Sequence, residues 1–108
     1  KYLTDILNAI HNLDIHLQHK RDFNLFMQNI TIRKATEREL SIIGEAVSKM
    51  IKIQPGLLVS YARIIVDLRN RIIHSYDSIN ETIIWKIIVR DIPVLKNEVE
   101  NLLKENNS

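Results

Sequence analysis

The sequence predicts an all-α fold, an antiparallel bundle of about five helices. Three observations predict it. Apolar residues recur at three- and four-residue spacing along almost the whole chain, the period of one helical face. Glycine and proline number two each in 108 residues, which leaves little material for turns and favours a few long helices. No stretch alternates with the two-residue period of a strand, and no repeat or low-complexity tract interrupts the pattern. A chain of this length supports one core, so residues 1–108 are read as a single domain.

The elements follow in order. Leu3, Ile6, Leu7, Ile10, Leu13 and Leu17 form the apolar stripe of a first amphipathic helix. His11, His16 and His19 lie on it or just beyond. No cysteine or carboxylate joins them at ligand spacing, so they read as surface histidines and no metal site is expected. Phe23, Phe26, Met27 and Ile30 make a short helix that covers the core. Asn29 or Thr31 then caps a third helix carried by Ile32, Ala35, Leu40, Ile43, Ala46, Val47 and Met50 and ending near Ile53. Gly44 inside it costs about 1 kcal/mol relative to alanine, which points to a neighbouring helix packed against its backbone. Glu45 either holds an arginine from elsewhere or sits in water; the sequence slightly favours water.

Gln54-Pro55-Gly56 is the clearest break, a loop rather than a domain boundary. A fourth helix resumes from Leu57 through Leu58, Ala62, Ile65, Val66, Ile72 and Ile73. Ser78-Ile79-Asn80-Glu81 has the form of a capping box, with Ser78 as the cap of the next helix and Glu81 reaching back. His74 to Asp77 therefore falls at a helix end or in the loop beyond. The last pattern, Ile83 to Leu103, contains Pro93, which should kink the helix or split it. Lys104 to Ser108 is polar and expected to fray.

Composition bounds the function. With 45% hydrophobic and 26% charged residues the chain has ordinary soluble usage, and no apolar run approaches the roughly 20 residues of a membrane span. No basic-then-apolar leader opens it, so a cytoplasmic protein is expected. The absence of cysteine excludes disulfide and thiolate chemistry. A net charge of +2 is far below that of a nucleic-acid coat. The basic middle, Lys20 to Lys52, against the acidic Asp91 to Glu105, suggests either an anionic ligand near the centre or a solvated face.

Chemistry concentrates in Arg69-Asn70-Arg71-Ile72-Ile73-His74-Ser75-Tyr76. Arginine is a permanent forked cation suited to phosphate, histidine exchanges protons near neutral pH, and the tyrosine hydroxyl can donate, accept or be modified. On an ideal helix Asn70 and His74 share a face, whereas Arg69 and His74 diverge by about 140°. They converge only at a helix end or if two copies pool their residues. Three readings fit the spacing. One is a metal-free ribonuclease, with histidine taking a ribose 2′-hydroxyl proton and arginine stabilising charge on the phosphate. The second is nucleotide or phosphate binding without cleavage, with Arg69 and Arg71 as clamps and Tyr76 stacking or hydrogen-bonding. In the third, Arg69 pairs with Asp67 or Glu45, His74 caps a helix C-terminus, and Tyr76 packs.

Arg69-Asn70-(x)3-His74-Ser75-Tyr76 is similar to the Arg-x4-His-x-Tyr motif of HEPN domains, specifically the HepT-like toxins of the HepT–MntA type. The resemblance spans nearly the whole chain. Tyr2-Leu3-Thr4-Asp5-Ile6-Leu7, Phe23 to Phe26, Ile42-Ile43-Gly44-Glu45-Ala46, Leu68-Arg69-Asn70, Trp85 and Asp91-Ile92-Pro93 with Leu95 fall in the family's order. It implies an all-α homodimer of HEPN type whose two motifs face each other across a cleft. Arg69 and His74 would be the catalytic pair of an RNase toxin, assisted by Asn70, with RNA as substrate, Arg71 as a further phosphate contact, and no metal or cofactor. It also implies a partner, a minimal MntA-like nucleotidyltransferase antitoxin that neutralises the toxin by transferring AMP from ATP to Tyr76. The alternative is a non-catalytic nucleotide-binding or assembly partner of such a nucleotidyltransferase.

Overall fold

The structure is a computed structural model, and it describes residues 1–56, 62–74 and 80–107, the side chains of residues 73–74 and 106–107 excepted. Six α-helices are described: α1 (Tyr2–His16), α2 (Phe23–Gln28), α3 (Ile30–Ile53), α4 (Ala62–His74), α5 (Glu81–Lys86) and α6 (Ile92–Asn107), with one wide π turn, Ile87–Asp91, between the last two. The all-α expectation holds. Among the described residues no helix is long and apolar enough to cross a membrane.

The expected stripes form the core. Ile6, Ile10, Leu13 and Leu17 of the first pattern are buried against Leu40, Ile43 and Val47 of α3, with Ile65 and Leu68 of α4 and Ile88, Ile92, Leu95 and Val99 behind them. α3, 24 residues long, is the spine: α1, α2 and α4 all pack on it, and α6 packs on α1. Phe26 is fully buried, and Trp85 of α5 lies against both Phe23 and Phe26, with ring centroids 5.7 and 5.3 Å away. Those offset aromatic contacts tie α2 to α5.

The helix ends show which local signals operate. Asp22 caps α2 by accepting from the backbone N–H groups of Asn24 and Leu25, and Asn29 caps α3 by accepting from Ile32 N–H at 3.1 Å. α1 ends in a turn where Gln18 and His19 both have φ of 58°, the left-handed region that glycine prefers. His19 N–H to Asp14 C=O and Gln18 N–H to Ile15 C=O close that turn.

Two expectations change, those for His16 and for the cap of α5. His16 is not a plain surface histidine, because its Nε2 lies 3.0 Å from Oε2 of the buried Glu39 on α3. The cap of α5 is Asn80, whose side-chain oxygen accepts from Thr82 and Ile83 N–H, and Glu81 is the first helical residue rather than the far side of a capping box; Ser78 and the proposed start of the fourth helix at Leu57 lie outside the described residues. The polar C-terminus continues as helix to Asn107. Near Pro93 the regular α-helix is divided, with α5 and α6 separated by the π turn Ile87–Asp91. The π turn just before the proline absorbs the missing N–H and the ring's clash with the preceding turn, as Ile92 N–H bonds back five residues to Ile87 C=O. That turn buries Asp91 completely, and Arg90 Nε closes over its Oδ1 at 2.7 Å.

Glu81 carries a pH signature. Burial pushes its carboxyl above the ordinary value, Glu37 adds to the effect, and Arg33 and Lys34 oppose it. The folded chain therefore binds this proton more tightly than the unfolded one. That stabilisation is present at low pH and lost as pH rises through the raised pKa. Glu81→Gln is expected to raise the melting temperature in neutral buffer and hardly at all in acid, read by thermal melts in both.

Candidate functional site

The site begins with a close helix crossing. A Cβ placed on Gly44 would come within 2.5 Å of Arg69 Cβ and 3.1 Å of the Ile65 carbonyl oxygen, so α4 lies directly on the α3 backbone there. The neighbour that the glycine announced is α4, and the side chain seated on it is Arg69.

From that seat the Arg69 guanidinium pairs with Glu45 Oε2 and donates from Nη1 to Asn70 Oδ1 at 3.3 Å. Its Nε is enclosed and has no acceptor among the described residues. Glu45 also receives Lys49 Nζ at 3.4 Å, one helical turn along. Lys49, Glu45, Arg69 and Asn70 thus form a charged chain bridging α3 and α4. Of the two readings of Glu45 the less favoured one, a hold on an arginine, is what the structure shows, although the Glu45 side chain remains 41% exposed.

The chain borders an open groove of about 350 Å³ lined by residues of α1, α3 and α4, among them Tyr2, Arg38, Ser41, Glu45, Lys49 and Arg69. Arg38 and Lys49 are functional candidates that the motif did not reveal. Arg38, Glu45 and Lys49 share one face of α3 by their spacing of seven and four, and that register was the available signal.

Arg71 and the Cα of His74 lie away from Arg69 around α4. α4 is a regular helix to His74, so the Cα positions of Arg69 and His74 are about 140° apart around its axis. His74 is four residues from Asn70 and three from Arg71 and so neighbours each around the helix, whereas Asn70 and Arg71 stand about 100° apart. Arg71 is exposed and borders a different depression, with Asp67, Ile64 and Ile83. Within one chain the two arginines do not clamp one ligand. The His74 side chain, Ser75 and Tyr76 lie outside the described residues. Among the described residues no group of three or more His, Asp or Glu is placed to hold a metal ion.

The profile of the family described as "Ribonuclease HepT-like" matches residues 6–102. The chain belongs to the HepT-like family. It is 37% identical over 103 residues, 92% of this chain and 91% of the relative, to a Methanocaldococcus jannaschii protein named "Putative RNase MJ1380". It is 32% identical over 108 residues, 95% of this chain and 94% of the relative, to a Thermococcus cleftensis protein named "Probable ribonuclease HepT". A Caldanaerobacter subterraneus protein named "Putative RNase TTE0752" is 31% identical over 87 residues, 77% of this chain and 75% of the relative. No solved structure matches the chain. For this HepT-like chain the family and the all-α fold agree.

Proposed function

We propose that this chain is the ribonuclease toxin of a toxin–antitoxin pair, cutting RNA without a metal ion through Arg69 and His74. The observation that carries the reading is the Arg69 seat: a guanidinium anchored by Glu45 and Asn70 at the edge of an open groove, in Arg-x4-His register with the last residue of α4, in a HepT-like chain. His74 takes the proton from a ribose 2′-hydroxyl, and the freed oxygen attacks the adjacent phosphorus. Arg69 stabilises the charge that builds on the phosphate as the bond to the 5′-oxygen breaks, which leaves a 2′,3′-cyclic phosphate and a 5′-hydroxyl that takes its proton from water. Asn70 orients Arg69, and Arg71 contacts a neighbouring phosphate.

The divergence of Arg69 and His74 around α4 is the reason to propose a homodimer, in which the two motifs face one another and complete the site. Neutralisation comes from a nucleotidyltransferase partner. The Tyr76 hydroxyl attacks the α-phosphorus of ATP, pyrophosphate leaves, and the AMP ester places an anion two residues from His74, where it competes with RNA phosphate.

RNA cleavage in the presence of EDTA tests the reading. The parent should cut RNA, and His74→Ala should lose about 10²- to 10⁴-fold in rate, the usual worth of a general acid–base group. Equal cleavage by the variant removes His74 from the mechanism. RNA left intact by the parent favours the non-catalytic role beside the nucleotidyltransferase. Intact mass after incubation with the partner and ATP should rise by whole AMP units on the parent and not on Tyr76→Phe.

A further inference from the structure

Gly44 and Glu45 are consecutive on α3, and both serve one side chain of α4. Gly44 admits the Arg69 stem against the helix backbone, and Glu45 takes the guanidinium. Asn70 holds the fork from a second direction, while Nε is shut away from solvent. Arginine on an exposed helix face ordinarily samples many rotamers, whereas Arg69 is fixed at the stem, at one terminal nitrogen and at the other. Glu45 is itself held by Lys49.

We propose that Glu45 is the positioning residue of Arg69, aiming its guanidinium at the scissile phosphate; the proposal rests on the role given to Arg69 above. Glu45 has two effects of opposite sense. It pre-orders the fork, which favours the transition state, because a misplacement of about 1 Å can cost a hundredfold. It is also an anion on the groove, which opposes the RNA phosphate in the ground state and competes with it for the same guanidinium.

Steady-state cleavage by Glu45→Gln separates these effects. Gln keeps the size and removes the charge, so kcat should fall by about ten- to a hundredfold while KM falls as well, and circular dichroism should show an unchanged helical fold. A residue that only stabilised the bundle would not lower both constants in a folded protein. Glu45→Asp keeps the charge but shortens the reach, so kcat should fall with KM unchanged. A folded Glu45→Gln variant with the parent's kcat overturns the proposal.

A measurement without RNA keeps the two readings apart. In ¹⁵N-labelled protein the Arg69 Nε–H should be ordered and slow to exchange in the parent, and averaged in Glu45→Gln. An Arg69 Nε–H already averaged in the parent overturns the positioning role. A parent that leaves RNA intact while Arg69 is ordered only in the presence of Glu45 overturns the nuclease reading and upholds the hold on Arg69.

Discussion

Arg69→Ala is expected to lower the rate of RNA cleavage by about 10²- to 10³-fold, the usual loss when one donor to a developing oxyanion is removed. Charge grows on the non-bridging phosphate oxygens in the transition state, and a fork already ordered on Glu45 and Asn70 meets that charge without reorganising. Stability should change little, about 1 kcal/mol, because Glu45 retains Lys49 when Arg69 is gone and no buried carboxylate is stranded. Arg69→Lys should fall between parent and Ala, since an ammonium keeps the charge but cannot span two acceptors as the fork does. Initial rates on one RNA, with a thermal melt of each variant, check the expectation. Parent-like cleavage by Arg69→Ala removes the arginine from the mechanism.

Gly44→Ala should destabilise the domain although alanine is the better helix former. Propensity favours the substitution by about 1 kcal/mol. Against that stands a Cβ 2.5 Å from Arg69 Cβ and 3.1 Å from the Ile65 carbonyl oxygen. Neither atom is the tip of a flexible side chain, so α3 and α4 must separate. Overpacking of this kind costs about 1–3 kcal/mol, so the net cost is up to about 2 kcal/mol and the melting temperature should fall by up to roughly 10 °C for a domain of this size. The displaced helix carries Arg69 with it, so cleavage by the folded fraction should fall as well. A raised melting temperature would mean that the helices cross less closely than the structure has them.

Gly44 also shows what a sequence can disclose. A glycine that the helix period does not need signals a close crossing, and the stripes of α1 and α3 locate the core because burial imposes their spacing. Residue types offered Asn29 or Thr31 as the cap of α3, of which the structure uses Asn29, and placed its end near Ile53. Where two local solutions compete, the outcome depends on tertiary placement: Asn80 and Ser78 are both competent caps, and the path of the chain selects Asn80. Contacts between helices leave no periodic trace, so the sequence offered Glu45 only as one of two alternative partners for Arg69 and did not show His16 with Glu39 at all. The motif Arg69 to Tyr76 was legible as residue types. Its arrangement was not, because the register of α4 turns Arg69 toward α3 while Asn70, Arg71 and His74 occupy adjoining sectors.

The wide turn before Pro93 changes the helix in a further way. One extra residue in a turn slips the phase of everything beyond it by about 100°. Below the slip, Trp85 meets Phe23 and Phe26; above it, the stripe of Leu95 and Val99 is turned into the core beside α1. The turn is a swivel within a continuous rod. It lets a single length of helix serve two neighbours that do not lie in line, without the entropy of ordering a loop between them.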